Sequence, residues 1–218
     1  MITLMVDGRK IAAEKGASLL QVCLRNGIFI PHLCFLASAP RQEASCRLCF
    51  VEIEGYQEPV LSCVVPVTRE LKVQTDTGRV RHLQRSALRL LLSAHPVDCR
   101  HCHANRACAL QEIARFLKIN LNPGPLDPIP RSLEVDRSHP VIDLYPHRCV
   151  LCGKCIETCR DSVGKPLLTF TGRGINTQVG HFPTESDAAL DCRKCGRCIA
   201  VCPVGALQLR SPDSGPAT

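Results

Sequence analysis

A chain of 218 residues with 16 Cys, 16 Pro, 14 Gly, no Trp and 4% aromatic residues holds too little ordinary apolar carbon for one large core. Small modules, tied together by something besides hydrophobic contact, are expected instead. The formal charge of +7 would suit a nucleic-acid partner, but only six Phe and two Tyr are available for stacking and no basic run is interleaved with them, which argues against that class.

Met1 to Lys10 carries Asp7, Arg9 and Lys10 where the apolar part of a secretory leader would run. No stretch approaches the ~18 apolar residues of a membrane helix. A reducing, cytoplasmic setting is therefore expected, in which cysteines at this density ligate metal rather than form a disulfide scaffold.

Ile2 to Val6 reads as a strand, Asp7-Gly8 as its turn, and Lys10 to Ala13 as the returning strand of a hairpin. Ser18 is placed to cap a short helix bearing Leu19, Leu20, Val22, Cys23 and Leu24 that stops near Asn26-Gly27. After an irregular stretch to Cys49, Phe50 to Glu54 alternates as a half-buried strand, Val60 to Val65 and Leu71 to Val73 supply two more, and an α+β unit closes near residue 76. Residues 77–121 form a helical segment. A helix from Val80 to Ser93 presents Leu83, Ala87, Leu90 and Leu91 on one face and is stopped by Pro96, and a second runs from Cys108 to Ile119 with Leu110, Ile113, Ala114 and Leu117 inward.

Residues 122–146 hold Pro123, Pro125, Pro128, Pro130, Pro140 and Pro146, which forbid a continuous helix and suggest an extended crossing segment. Residues 147–210 repeat one short cysteine motif on either side of a strand at Leu167 to Phe170, and 211–218 is a polar tail. The lone Gly172-Arg-Gly174 lacks the remaining glycines of a dinucleotide loop and reads as a turn.

Fifteen of the cysteines fall into four constellations. Cys149-x2-Cys152-x2-Cys155-x3-Cys159 and Cys192-x2-Cys195-x2-Cys198-x3-Cys202-Pro203 have the spacing of a two-cluster ferredoxin. In such proteins three thiolates of each run grip one cubane and the fourth crosses to the other. The expected sets are thus Cys149, Cys152, Cys155 with Cys202, and Cys192, Cys195, Cys198 with Cys159. Gly153 and Gly196 let the chain turn tightly around sulfur with amide N–H groups free to donate.

Cys34-x11-Cys46-x2-Cys49-x13-Cys63 suits a [2Fe–2S] loop or a zinc site. No Gly stands between Cys34 and Cys49, so that loop must turn on Ala, Ser, Arg and Pro40. His95-x3-Cys99-x2-Cys102-x5-Cys108 offers three thiolates and a nearby imidazole, for a [4Fe–4S] cluster or a Cys3His zinc site, with His101 and His103 as rival ligands. Cys23 is left over, as a small buried helix residue.

With these motifs laid out, the chain resembles the iron–sulfur subunit of the diaphorase part of soluble NAD-reducing nickel–iron hydrogenases. It is similar, too, to the N-terminal region of the large iron–sulfur subunit of complex I and of iron-only hydrogenases. The matching stretches are Pro31 to Cys34, Ser45 to Ile53, His95 to Cys102, Cys108 to Gln111, Arg148 to Cys155 and Cys198 to Gly205. The resemblance implies one [2Fe–2S] cluster on Cys34, Cys46, Cys49 and Cys63 in a ferredoxin-like β-grasp module. It further implies a [4Fe–4S] cluster on His95, Cys99, Cys102 and Cys108, and two more [4Fe–4S] clusters in a bacterial-ferredoxin-like module, partitioned as above. Departures are Arg106, where relatives tend to have Gly; Arg160, where the generic ferredoxin has Pro after its fourth Cys; and the divergent residues 160–191.

An electron relay is expected, with no catalytic pocket of its own. It would link a flavin- and NAD(P)-binding subunit to a catalytic subunit, a nickel–iron hydrogenase by resemblance, in a hetero-oligomer. A formate dehydrogenase or another reductase could use the same relay, and a zinc-stabilised interaction protein is the rival from another class. The negative charge of thiolate-ligated clusters offsets the +7 of the bare chain, and one imidazole in place of a thiolate should raise the potential of the His95 cluster.

Overall fold

The structure, a computed structural model, describes residues 1–122, 133–164, 167–181 and 192–211, with the side chain of Val163 left aside. The chain divides into two compact units, one of residues 1–91 and 113–120, the other of 92–112 and 121–218. The segment 77–121 thus contributes to both.

The first unit is built on a five-stranded sheet in the order β2-β1-β5-β3-β4. Strand β1 (Ile2–Val6) turns at Asp7-Gly8 into β2 (Arg9–Ala13), with Ile2 opposite Ala13 and Val6 opposite Arg9. Both turn residues take positive φ. Strand β5 (Lys72–Gln74) runs parallel to β1, Val6 beside Val73, and antiparallel to β3 (Phe50–Ile53), which also pairs with β4 (Val60–Leu61). A parallel pair needs a crossover, and helix α1 (Leu19–Arg25) lies on that path. Leu4 and Val6, Ile11 and Ala13, Val51 and Ile53 alternate inward and share one core with Leu19, Leu20, Val22 and Cys23 of α1, the period-2 and helical patterns meeting as the sequence predicts.

Three expectations fail locally. Ser18 does not cap α1; its hydroxyl donates to the carbonyls of Ser62 (3.4 Å) and Cys63 (3.1 Å) and ties the helix start to a cysteine loop. The predicted strand Val60 to Val65 ends at Leu61 and gives way to a 3-10 turn over Ser62–Val64, because Ser62 folds back so that its N–H and hydroxyl both donate to Cys49 O at 2.9 Å.

Helix α2 (Gly78–Ser93) is rotated from its predicted phase: Val80, Gln84, Ala87, Leu88 and Leu92 are buried, while Leu90 is 64% exposed. Gln84 can occupy the inner face because its amide donates to Phe50 O at 3.1 Å, meeting part of the cost of burying a polar group. Helix α3 (Ala109–Leu117) buries Leu110, Ile113, Ala114 and Leu117, as its periodicity predicts.

In the second unit part of the predicted extended segment is a strand. β6 (Ile142–Leu144) bridges to Asp136 and pairs antiparallel with β9 (Leu207–Leu209), neither having been predicted as a strand. Pro123, Pro125, Pro128 and Pro130 lie outside the described residues, as does the tail beyond Ser211. β6 is buried throughout, and Asp143 within it is partnered by Arg210 at 2.8 Å, the pairing a buried carboxylate requires.

β7 (Leu168–Thr171), at the predicted strand, forms a hairpin with β8 (Gln178–His181), and Gly172 and Gly174, both of positive φ, lie in its connection. Helix α4 (Lys154–Val163) starts from Gly153 at φ 74° and ends at Gly164 in the same left-handed conformation. Helix α5 (Arg197–Ala200) follows Gly196 at φ 56°.

Candidate metal centres

Cys34, Cys46, Cys49 and Cys63 are all buried beside the core of the first unit. The loop that carries the first three has no glycine, and Ala44 (φ 51°) and Arg47 (φ 54°) supply its left-handed turns instead. That conformation is costly for a side chain and persists only where the surroundings impose it. Gln42 staples the loop, accepting Leu36 N–H at 3.1 Å and donating to Leu36 O at 2.9 Å.

The thiols meet in pairs. Cys34 donates to Cys46 across 3.3 Å, which pulls the Cys46 thiol down to about 6 and pushes Cys34 up. A like contact lowers Cys49 and raises Cys63. Leu33 N–H also points at Cys46 Sγ, 3.5 Å away. Four thiols and an inward amide in an apolar setting are a donor set for iron–sulfur ligation.

Past the last turn of α2, His95 is half-buried and Cys99, Cys102 and Cys108 follow on a compact loop. Burial raises Cys108, and the neighbouring Cys102 and Cys99 add to the rise. His101 is engaged with Asp98 at 2.9 Å, and His103 is tilted against Tyr145 with ring centroids 6.2 Å apart. Arg106 takes φ 70°, its N–H donating to Gln111 Oε1 at 2.9 Å, so the backbone turns as a glycine would let it even though Arg stands there.

The last eight cysteines form two neighbouring groups. Cys149, Cys152, Cys155 and Cys202 line one cavity walled by Leu144, Val150, Val179 and Leu207. Burial drives Cys152 up to about 12, helped by Cys149 and Cys202, and raises Cys155, helped by Cys152, Cys149 and Cys202. Cys198 is likewise raised to about 12 by burial and then by Cys159, Cys192 and Cys195. Leu151, at φ 52°, directs its N–H to Cys149 Sγ at 3.4 Å. Among the described residues no three His, Cys, Asp or Glu side chains close around a point suited to one bare ion. The Cys152, Cys155 and Cys198 thiols, held neutral by burial while metal-free, ionise when a cationic centre replaces their protons, and the apolar cradle lined by Cys149, Cys152, Cys155 and Cys202 fits a cluster.

Three families match in succession: the 2Fe-2S iron-sulfur cluster binding domain at residues 1–78, the NADH-ubiquinone oxidoreductase-G iron-sulfur binding region at 84–122, and the NADH-quinone oxidoreductase subunit 3 ferredoxin-like domain at 139–208. A chain in the crystal structure of an NAD+-reducing [NiFe]-hydrogenase superposes with a TM-score of 0.81 at 29% identity, covering 99% of this chain and 90% of that one. The chain is homologous to the iron–sulfur subunit of NAD-reducing hydrogenases and to the corresponding region of the complex I large subunit.

Among curated relatives of this homologous group, the mitochondrial NADH-ubiquinone oxidoreductase 78 kDa subunit of Neurospora crassa is 32% identical, covering 94% of this chain and 27% of its own length. The NADP-reducing hydrogenase subunit HndD of Solidesulfovibrio fructosivorans is 34% identical, with 95% and 36% covered. The chain thus spans roughly a quarter to a third of these two relatives' length.

The homology gives the chain a [2Fe–2S] domain and at least one [4Fe–4S]-type domain, in the order [2Fe–2S] ferredoxin-like module, [4Fe–4S] module and bacterial-ferredoxin-like module. No helix among the described residues is long and apolar enough to cross a membrane. Missing from the reading of the sequence are the amide donors at Leu33 and Leu151 and the staple at Gln42. No local signal marks them, since every residue but proline has an N–H and only the folded loop aims it.

Proposed function

We propose that the chain is an electron relay between a flavin- and NAD(P)-binding subunit and a catalytic subunit of an NAD(P)-linked hydrogenase. The observation that carries this reading is helix α4, which bears Cys155 on the cavity shared with Cys149, Cys152 and Cys202 and, one turn on, Cys159 beside Cys198. Two redox centres anchored one helical turn apart, ~6 Å along the axis, suit transfer between centres better than chemistry on an organic substrate. Similarity to a chain of an NAD+-reducing [NiFe]-hydrogenase favours that partner over a formate dehydrogenase.

In this reading Cys34, Cys46, Cys49 and Cys63 hold a [2Fe–2S] cluster, and His95, Cys99, Cys102 and Cys108 a [4Fe–4S] cluster. Cys149, Cys152, Cys155 and Cys202 hold a second [4Fe–4S] cluster, and Cys159, Cys192, Cys195 and Cys198 a third. The clusters supply reversible one-electron chemistry. The chain's own residues do the rest: Leu144, Val179 and Leu207 keep water out, the Leu33 and Leu151 amides donate to sulfur, and α4 spaces two of the ligand sets.

Anaerobic purification, alone and together with a flavin-binding partner subunit, tests the proposal. Brown protein with about 14 iron and about 14 sulfide atoms per chain, reduced by NADH or NADPH only when a flavin subunit is present, is the expected result. Colourless, zinc-rich protein without labile sulfide would overturn it.

A further inference from the structure

Gly205 is a glycine without a conformational need. Its φ lies outside the left-handed range, unlike Gly153 and Gly196, so an L side chain could adopt its backbone. What it lacks is room. A Cβ there would sit 2.6 Å from Cys102 Sγ, 3.2 Å from Ala104 Cβ and 3.2 Å from His103 Cε1. The sulfur of one candidate ligand is therefore pressed against the backbone three residues beyond another, Cys202.

The loops on either side are stitched at two further points: Ala109 N–H, next to Cys108, donates to Pro203 O at 2.9 Å, and Arg148, next to Cys149, donates to His101 O at 3.2 Å. On the Cys149 side, Tyr145 N–H donates to Ala206 O at 2.9 Å. The Arg148 guanidinium also covers the Tyr145 ring at 4.3 Å. Ala206 and Tyr145, with Cys149 and Cys202, line the cavity of the Cys149 group. The seam thus joins the Cys102 loop directly to that cavity wall, and Gly205 is where it leaves no room for a Cβ.

Resting on the cluster assignments proposed above, we infer that Gly205 is a positioning residue that sets the separation of the His95/Cys99/Cys102/Cys108 centre from the Cys149/Cys152/Cys155/Cys202 centre. It does so by letting Cys102 Sγ lie against the Cys202–Ala206 loop. A sulfur held by iron cannot swing aside as a free thiol could, so an added methyl must open the seam itself. Electron tunnelling and magnetic coupling between the centres both fall as the seam opens.

The test is Gly205→Ala in the intact complex. Iron and sulfide content of the native protein, measured first, decides the relay proposal independently. The variant is then expected to keep native iron and sulfide and the individual resonances of both centres. The magnetic broadening between them should weaken, and electron transfer from one to the other in freeze-quench experiments should slow several-fold. Full cluster content with native coupling and native transfer rate would overturn the inference.

If Gly205→Ala loses the His95 centre, the double variant Ala104→Gly/Gly205→Ala, which returns one methyl volume to the seam, decides. A restored centre with weakened coupling supports a spacing role. A restored centre with native coupling, or no restored centre, overturns it in favour of a role in packing or assembly alone.

Discussion

Side chains forced into unusual backbone conformations mark where this chain bends around its candidate centres. Ala44, Arg47, Arg106 and Leu151 all take positive φ, and each lies between or beside the cysteines of a constellation. For Arg106 the strain is ~1–2 kcal/mol, partly offset by the flexibility a glycine would bring to the unfolded chain. Arg106→Gly should therefore stabilise the cluster-loaded protein by about 0.5–1 kcal/mol, read as a higher denaturation midpoint at unchanged iron content; an unchanged or lower midpoint would contradict the strain.

A second residue couples stability to pH. His139 is 1% exposed, its Nδ1 accepts the amides of Val141 (3.2 Å) and Ile142 (3.1 Å), and its ring meets that of His181 edge-on at 4.4 Å. Burial first, then the charges of His181 and Arg210, hold it down at about 4 against an ordinary 6.5, with Asp136 opposing. The unfolded chain thus binds the extra proton first. The stability given by the neutral ring is complete above about pH 6.5 and drains away as pH falls toward 4. His139→Asn, which keeps an acceptor but cannot titrate, should flatten the loss of amide protection in β7 and β8 between pH 7 and pH 5, taken relative to the intrinsic exchange rate at each pH.

Helices show how far a periodic pattern carries. Leu110, Ile113, Ala114 and Leu117 of α3 are buried as the pattern predicts, whereas α2 turns Leu90 outward and Gln84 inward. A helix rich in Leu on several sides has no unique apolar stripe, and the bond from Gln84 to Phe50 O chooses among the possible phases. Leu88→Ala, at a fully buried site, should cost ~2–5 kcal/mol, while Leu90→Ala should stay within ~0.5 kcal/mol. Equal effects in denaturant unfolding would show that the assigned phase is wrong.

The two units differ in what holds them together. The first has a sheet-and-helix core from Leu4 to Val73 that includes only three cysteines. Among the described residues the core around β6 is smaller, and Cys149, Cys155, Cys192, Cys198 and Cys202 lie in it or against it. Chelating the iron should accordingly unfold the second unit while most of the first persists. Amide protection retained in β1, β2 and β3 but lost in β6, β9 and α4 is the expected pattern; protection retained throughout the metal-free chain would refute the cross-linking role.

Cysteine spacing, the β1–β2 hairpin and α3 were legible along the chain because each depends on neighbours within a few residues: turns that aim successive thiols, an Asp-Gly corner, one helical stripe. Contacts across long sequence distances were not legible. Ser18 was diverted from capping to the carbonyls of Ser62 and Cys63, β6 found β9 sixty-odd residues away, and Gly205 came to lie against Cys102. Local chemistry names the groups that can bind iron, whereas the approach of one loop to another is a property of the packed molecule, since no short segment holds both partners.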